Sequence, residues 1–286
     1  MKALLAGWFS FEQMGASAGD LLARDVVRDW LDGAGVAYDV ALAPPFAGGV
    51  DWRSVDADDY THVVFVCGPV GNGEPLVGLL ERFRGRRLVG VDVTMLDDLE
   101  RWNPFDVLLE RDSSRTTRPD LAFLAPPRRV PVVGVVLIDA QPEYGDGDLH
   151  EPADAAIERV LAAREVVTIR VDTRLDTNDQ TAAEVESLIA RTDAVLTTRL
   201  HGLVLALKNG VPAVAIDTVA GGAKVSRQAA VLGWPVLRAE TLDDAELAAA
   251  LDRALTDDAR AAARASAEGA ARLLASVRDE FLSALT

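Results

Sequence analysis

Four consecutive residues in the C-terminal half combine a fixed cation with a titratable ring: Arg199, Leu200, His201 and Gly202. They stand between two apolar runs, DAVLTT before them and LVLAL after them. The first run predicts a strand and the second a helix, so the four residues form the turn at which the helix begins. The N–H groups at the start of a helix have no partner within the helix, and they favour anions.

Each polar residue of this turn has a chemistry of its own. Arg199 carries a planar, permanently charged fork that suits phosphate or carboxylate. His201 can give or take a proton near neutral pH, and Gly202 lets a ligand approach the backbone closely. A structural interpretation stays open beside this one. In that interpretation Arg199 caps or pairs with Asp193, and His201 packs as a neutral, hydrogen-bonded residue.

Strand and helix patterns alternate along the whole chain and decide where this turn lies. Strand-like runs include KALLAGWF, THVVFVCG, RLVGVDV, VPVVGVVLI, VVTIRV, DAVLTT and PAVAID, and helix-like runs separate most of them. Such alternation predicts right-handed βαβ crossovers and parallel sheets. LAPPRRVP, at residues 124–131, has the composition of a stiff linker. The last residues, from Thr241 onward, are Ala-rich and helical in pattern.

We therefore expect an α/β protein of GT-B-like architecture, with two Rossmann-like domains that face each other across a cleft. The predicted domains are residues 1–125 and residues 126–286, and the second domain ends in a helical tail. Ligands of such parallel sheets collect at the carboxyl ends of the strands. The turn at residues 199–202 lies at such an end in the second domain.

Composition excludes several classes of function. The 286 residues carry a formal net charge of −16, which argues against a nucleic acid or an anionic membrane as partner. The apolar runs are too short for a transmembrane segment. A single cysteine, Cys67, excludes an intrachain disulfide and a multi-cysteine metal site, and we expect it to be a small buried hydrophobe. The expected compartment is the cytoplasm.

The segment around Arg199 resembles the polysaccharide pyruvyl transferase family, whose members carry an Arg-Leu-His-Gly element after a short apolar strand. The resemblance runs almost continuously through DTNDQTAAEVESLIARTDAVLTTRLHGLVLALKNGVPAVAID. GGAKVSRQAAVLGWP follows it, where the family has a lysine about two dozen residues after the histidine. Lys224 is the matching lysine.

The N-terminal half resembles the family more loosely. LLERDSS, which contains Arg111, resembles an Arg-Asp-x-x-Ser element, and FVCGPVGNGE stands where the family has a Gly-rich loop. SAGD, at residues 17–20, stands where the family shows Asn-x-Gly-Asp, so Ser17 is a departure. The segment between ERDSS and RPDLAFL is also short for the family. These departures bear on the acceptor more than on the donor.

The resemblance implies a transferase that moves a pyruvyl group from phosphoenolpyruvate to a sugar or glycan as a ketal. It implies His201 as the catalytic acid or base, and a donor site formed by Arg199, Leu200, Gly202, Lys224 and Arg111. The residues it implies on the acceptor side are Ser17, Gly19, Asp20, Gly71 and Asn72. No metal and no cofactor are required, the partners are the small-molecule donor and the acceptor, and a homo-oligomer is left open. Asp20 has an alternative role as a helix cap.

Two other functions stay open at this point. A sugar-nucleotide glycosyltransferase of GT-B architecture would share the cleft and the cationic turn, and Glu240 would be its candidate ribose ligand. A non-catalytic family member that acts as a binding subunit would explain Ser17 and the short middle segment. The intact RLHG element and Lys224 count against this second alternative.

Overall fold

The computed structural model describes residues 1–176 and 179–285, so Thr177 and Asn178 of the DTNDQ loop and the final Thr286 lie outside the described residues. The chain divides into two compact units, an N-terminal unit of residues 1–127 and a C-terminal unit of residues 128–286. Their boundary falls inside the LAPPRRVP segment, two residues beyond the predicted position.

The N-terminal unit is built on a five-stranded parallel sheet with the order β2-β1-β3-β5-β7. Its strands are β1 (Lys2–Gly7), β2 (Ala37–Val40), β3 (His62–Val66), β4 (Pro69–Val70), β5 (Arg87–Val91), β6 (Thr94–Met95) and β7 (Val107–Leu109). Its α-helices are α1 (Ala18–Gly33) and α2 (Leu76–Arg82). The short strands β4 and β6 pair with each other outside the main sheet.

The main sheet of this unit is buried on both faces because its strands alternate their side chains. In β1, Leu4 packs into a cluster with Phe65 and Phe83 on one face, whereas Leu5 packs with Val27 of α1 on the other face. Successive residues of a strand point to opposite faces, and a parallel sheet covered on both faces therefore reads as a continuous apolar run. This is why KALLAG carries no polar residue after Lys2.

The C-terminal unit repeats the plan with a five-stranded parallel sheet of order β12-β11-β10-β8-β9. Its strands are β8 (Val132–Val136), β9 (Val167–Arg170), β10 (Ala194–Thr197), β11 (Ala213–Asp217) and β12 (Val236–Arg238). Its helices are α3 (His150–Ala162), α4 (Ala182–Ile189), α5 (Leu200–Lys208), α6 (Lys224–Leu232), α7 (Asp244–Ala254), α8 (Asp257–Leu273) and α9 (Val277–Ser283). β10 lies between β8 and β11, with Val195 opposite Gly134 on one side and Ala213 on the other.

Two apolar clusters cover the two faces of this sheet. Leu203 and Val211 belong to the cluster on one face, and Ile157 of α3 and Leu251 of α7 belong to the cluster on the other. Helix α4 begins with a reciprocal capping box in which Thr181 and Glu184 hydrogen-bond to each other's backbone N–H. A Thr followed three residues later by a Glu is the usual sequence of such a cap.

The strand order reverses once in each sheet, and this reversal locates the crevice in which such folds bind ligands. If the main-sheet strands of each unit are numbered from one along the chain, their order in the sheet is 2-1-3-4-5. The second strand is therefore added on one side of the first, and the third strand is added on its other side. Loops diverge at that point and open a crevice at the carboxyl ends of the strands. In the C-terminal unit the crevice lies between β8 and β10, and the RLHG residues follow β10 directly.

The predicted fold class is confirmed: the protein is α/β, each unit holds a Rossmann-like parallel sheet, and the C-terminal part is helical. The sequence pattern missed β12 and the small β4–β6 pair. No helix among the described residues has the length and apolar character needed to cross a bilayer.

Candidate functional site

Two buried threonines fix the turn of residues 197–202, called here the Arg199 turn, to the neighbouring strand. The Thr197 hydroxyl donates to the carbonyl of Val136, 2.9 Å away, and accepts from the N–H of Arg199 at 3.0 Å. The Thr198 hydroxyl accepts from the N–H of Ile138 at 2.7 Å. The ends of β8 and β10 are therefore held together where the strand order reverses.

Arg199 is almost completely buried, and each part of its fork has a partner. Its Nε donates to the carbonyl of Leu137 at 2.7 Å. Its Nη2 lies 2.6 Å from Asp139 Oδ2, and its Nη1 lies 3.4 Å from Asp172 Oδ1. Both carboxylates follow neighbouring strands of the same sheet, so the guanidinium spans the carboxyl ends of β8, β9 and β10.

The alternative pairing of Arg199 with Asp193 is wrong. Asp193 precedes β10, at the opposite end of that strand from Arg199. It accepts from the N–H of Val132 at 2.8 Å and pairs with Arg260 at 3.2 Å. Asp193 and Arg199 are separated by the length of the extended strand β10, so their side chains do not meet.

The first turn of α5 offers backbone donors that no described side chain accepts. Arg199 is the N-cap residue and makes no side-chain cap, so the N–H groups of Leu200, His201 and Gly202 are without a partner in the described structure. The other described helices of eight or more residues each have a side-chain oxygen at a first-turn N–H. These oxygens belong to Ser17, Asp148, Thr181, Asp217, Asp243 and Thr256.

His201 is exposed on the first turn of α5 and has no hydrogen-bond partner among the described residues. The interpretation of His201 as a packed, hydrogen-bonded ring is therefore wrong. Gly202 is buried, and its small size has a structural reason. A Cβ at this position would overlap the Thr197 hydroxyl and lie 3.0 Å from Val136 Cβ. Gly202 thus lets α5 start close against β8 and β10.

Lys224 begins α6 and is exposed, at the end of the loop that follows β11. β11 pairs directly with β10, so this loop and the Arg199 turn leave the same edge of the sheet from adjacent strands. The topology therefore brings the predicted lysine, arginine and histidine to one edge of the C-terminal unit.

Asp217 holds the loop before Lys224 in place. This carboxylate is 1% exposed. Its Oδ2 accepts from the N–H groups of Ala223 and Ser226 at 2.7 and 2.8 Å, and its Oδ1 accepts from the N–H of Val219 at 3.1 Å. Burial alone would raise the pKa of Asp217, but the hydrogen bonds from Ser226, Ala223 and Val219 outweigh it and hold the pKa below its ordinary value.

Arg111 lies in the N-terminal unit, where it follows β7. Its Nη1 lies 2.6 Å from Asp120 Oδ2 and 4.0 Å from Cys67 Sγ. Its Nη2 donates to the Thr94 hydroxyl at 2.6 Å, and its Nε lies 3.4 Å from Asp112 Oδ2. Arg111 is thus part of a polar cluster of its own unit.

Cys67 is buried as predicted, but its surroundings are polar. Its thiol donates to Asp92 Oδ2 at 3.5 Å, and both residues have positive φ angles, 67° and 58°. Burial raises the pKa of Cys67, with the charges of Asp20 and Asp92 acting in the same direction, and burial also raises the pKa of Asp92. Positive φ is uncommon outside glycine and clusters at functional sites.

Ligand atoms of Cys67, Asp92 and Asp120 lie within 4.8 Å of one another, close enough to surround a metal ion. The Arg111 guanidinium already contacts the Cys67 sulfur and the Asp120 carboxylate. A fixed positive charge in that place opposes a divalent cation. The donor set is therefore better suited to holding Arg111 than to holding a metal.

The acceptor-side residues are divided between two places in the N-terminal unit. Ser17 is the N-cap of α1, and its N–H and hydroxyl both donate to Asp20 at 2.7 Å, so Asp20 has the capping role that the sequence left open. Gly19 lies inside this cap, and a Cβ there would meet only Ser17 Oγ, at 3.5 Å. Gly71 packs near Leu96, where a Cβ would lie 3.2 Å from Cδ1.

Asn72 lines a groove of about 780 Å³ that runs along α2 to the amino end of β5. Arg84, Arg87 and Trp102 are among its other lining residues. It therefore extends away from the carboxyl edge where ligands of parallel sheets collect. Residues 17–20 of the α1 cap do not line this groove, so it does not bring them together with Asn72.

Sequence reasoning missed the two carboxylates that contact Arg199, those of Asp139 and Asp172, and it missed Arg174, which contacts the same Asp139 oxygen. Each of them follows the end of a predicted strand. Because the carboxyl ends of parallel strands meet at one edge of a sheet, this position could have identified them as residues near Arg199. Arg174 Nη1 lies 3.5 Å from the same Asp139 oxygen that Arg199 contacts. The sequence places Asp139 and Arg199 60 positions apart, so the pair was not visible from spacing.

Comparison with known proteins supports the resemblance. The family model described as "Polysaccharide pyruvyl transferase" matches residues 118–218, which confirms the resemblance for that segment. The match contains the whole Arg199 turn, and it excludes Arg111, Lys224 and the acceptor-side residues. No curated protein has a significant sequence match to the chain.

Solved structures are matched over most of the chain but with low scores. The spinosyn rhamnosyltransferase SpnG in complex with spinosyn aglycone is 13% identical, with 98% of this chain and 99% of that chain covered and a TM-score of 0.37. The Methanocaldococcus jannaschii UDP-GlcNAc 2-epimerase in complex with UDP-GlcNAc and UDP is 10% identical, with coverages of 91% and 94% and a TM-score of 0.34. Likeness at this level says nothing about the activity of this chain.

Proposed function

We propose that the protein is a ketal pyruvyl transferase that binds phosphoenolpyruvate at the Arg199 turn and transfers its pyruvyl group to a sugar or glycan. The observation that carries the proposal is the composition of this turn. A buried arginine, an exposed histidine and helix N–H groups that have no partner among the described residues lie at the crevice between β8 and β10. The family match covers these same residues.

The donor has two anionic groups, and the edge offers two kinds of anion subsite. The N–H groups at the start of α5 suit the phosphate, and Lys224 on the neighbouring loop adds an exposed positive charge. The Arg199 fork suits a carboxylate or a phosphate. The family resemblance alone supports the proposal of Arg111 as a donor ligand, since its guanidinium contacts Asp120 and Thr94 of its own unit.

His201 is the proposed acid. It gives a proton to the methylene carbon of the donor, which leaves positive charge on the carbon that bears the phosphate. A first acceptor hydroxyl attacks this carbon and returns its proton to the imidazole. Phosphate then leaves, and a second hydroxyl closes the ketal as the departing phosphate takes the last proton.

Replacement of His201 tests this role cleanly because the side chain is exposed and bears no structural hydrogen bond in the described structure. His201→Gln should keep the melting temperature and most of the affinity for phosphoenolpyruvate. It should lose about a hundredfold or more in turnover, the usual contribution of a general acid. His62→Gln, in the N-terminal unit, is the matched control and should keep full turnover.

The assay measures phosphate release from phosphoenolpyruvate with a panel of sugar and lipid-linked glycan acceptors, and donor binding by calorimetry. Full turnover per folded molecule in His201→Gln would exclude His201 as the acid. Binding of UDP-sugars without binding of phosphoenolpyruvate would favour the glycosyltransferase alternative. Glu240, its candidate ribose ligand, already accepts from the N–H of Gly221 at 3.0 Å and lies 3.6 Å from Arg238.

A further inference from the structure

Two arginines from different strand ends converge on a single carboxylate oxygen in the C-terminal unit. Arg199 Nη2, after β10, lies 2.6 Å from Asp139 Oδ2, and Arg174 Nη1, after β9, lies 3.5 Å from the same atom. Asp139 itself follows β8. The oxygen therefore occupies a position to which two guanidinium groups point at once.

The remaining N–H groups of each fork are held by other partners, and these partners orient the forks. Asp176 contacts Nε and Nη2 of Arg174 at 3.1 and 2.6 Å, which leaves Nη1 directed at Asp139. In Arg199, the carbonyl of Leu137 holds Nε and Asp172 lies near Nη1, so that Nη2 is the corner directed at Asp139. The anion position is thus preformed by contacts that do not involve Asp139.

Asp139 is the least constrained member of this arrangement. Its side chain is 69% exposed, whereas that of Arg199 is 9% exposed. Among the described residues its carboxylate contacts only the two arginines. A carboxylate from solution could take its place while both guanidinium groups stay where they are. Because one carboxylate replaces another, the net charge of the cluster would not change.

We propose that Arg174 and Arg199 form the subsite for the donor's carboxylate, and that Asp139 occupies this subsite until the donor displaces it. The proposal rests on the proposed function in one respect, the identity of the donor. It adds Arg174 as a donor-binding residue and Asp139 as an internal competitor. In this arrangement the start of α5 and Lys224 bind the donor's phosphate.

Two substitutions with opposite expected effects test this subsite. Arg174→Ala removes one charged donor from a half-exposed position and should weaken phosphoenolpyruvate binding about tenfold. Asp139→Asn removes the competing charge and should tighten binding about threefold or more. If Asp139 only positioned Arg199, the same substitution would weaken binding instead. Arg170→Ala is the matched control, since Arg170 is an exposed arginine at the end of β9 that pairs with Glu158.

Calorimetry with phosphoenolpyruvate, oxalate and inorganic phosphate separates the possible results. We expect both variants to change the affinities for phosphoenolpyruvate and oxalate and to leave that for inorganic phosphate within about twofold. Equal phosphoenolpyruvate binding in wild type and Arg174→Ala would overturn the subsite and leave the proposed function intact. Equal changes for inorganic phosphate would overturn the assignment to the carboxylate.

A failure of the proposed function gives a different result. If the protein binds oxalate through Arg174 but does not bind phosphoenolpyruvate, the donor is wrong and the carboxylate subsite stands. If the wild type binds none of the three anions, both proposals are overturned. Melting temperatures of all three variants, measured on the same preparations, show that each change acts on binding and not on folding.

Discussion

The replacement of Asp217 by asparagine is the perturbation whose cost follows most directly from the structure. Asparagine keeps the size of the side chain but has a single oxygen. If this oxygen takes the place of Oδ2, it retains the N–H groups of Ala223 and Ser226. The amide group then faces the N–H of Val219, which now donates to Oδ1 at 3.1 Å, and two donors oppose each other.

The expected destabilisation is about 3 kcal/mol in the free energy of unfolding, because a buried hydrogen bond is lost and two others lose their charge. The pKa of Asp217 is lowered in the folded state. The stabilisation from such a group is present above the ordinary pKa of an aspartate and is lost as the pH falls through the lowered value. The difference between wild type and variant should therefore be full at pH 7 and shrink only below about pH 4.

Urea unfolding followed by far-UV circular dichroism measures this difference, and hydrogen exchange locates it. Exchange should accelerate in the peptide that contains Val219, Ala223 and Ser226, and donor affinity should fall because Lys224 ends the same loop. Glu240→Gln is the matched control. The Glu240 carboxylate accepts from the N–H of Gly221 in this loop but is exposed. Its replacement should therefore lower the free energy of unfolding by less than about 1 kcal/mol. Equal costs for the two variants, or unchanged exchange in Asp217→Asn, would refute the reasoning.

Two further predictions concern packing and pH. Gly202→Ala should lower the free energy of unfolding by about 1–3 kcal/mol through its overlap with Thr197. Gly33→Ala, where a Cβ meets nothing within 4 Å, should change it by less than about 1 kcal/mol. Burial raises the pKa of Asp154 to about 6, from a value of 3.8 in the unfolded chain. The contribution of this carboxyl group to the free energy of unfolding is therefore complete below pH 3.8, and it is lost as the pH rises through about 6. Asp154→Asn should therefore stabilise the protein by about 1 kcal/mol at pH 8 and give no gain at pH 4; equal gains at both would contradict this assignment.

The Arg199 turn was predictable because everything that defines it is local. The strand before it and the helix after it are adjacent in sequence, so the pattern alone places Arg199 and His201 at a helix start. Gly202 shows the limit of this reasoning. The sequence suggested that it gives room to a ligand, but its contacts with Thr197 and Val136 depend on how α5 lies against two strands.

The partners of Arg199 were not predictable for a topological reason. Its partners Asp139 and Asp172 follow β8 and β9, and only the strand order β10-β8-β9 brings those ends to β10. Alternation of strands and helices predicts a parallel sheet but does not give its order. For this reason the sequence suggested Asp193, the nearest acidic residue upstream, as the partner of Arg199.

Helix α1 illustrates the same limit within the N-terminal unit. The sequence left open a capping role for Asp20, and α1 spans Ala18–Gly33 with Asp20 in a capping box with Ser17. The buried residues are Ala23, Val26 and Val27, whereas Trp30, which shares the apolar spacing, is 50% exposed. Periodicity identifies an amphipathic helix, but the neighbouring elements decide which part of its apolar face is covered.

The large negative charge of the chain is compatible with the proposed anionic donor, because the net charge and the contacts of the site act over different distances. Charges more than about 8 Å apart are largely screened at physiological ionic strength. Most of the net charge therefore slows the approach of the proposed donor but does not lower the affinity of the site for it. Within the site, Arg199 is buried and has carboxylate neighbours in Asp139 and Asp172. A buried cation needs such partners when no ligand is present. In the proposed exchange, the donor's carboxylate replaces the exposed Asp139 carboxylate and this balance is preserved, so an acidic protein can keep an anion site without an unpaired buried charge.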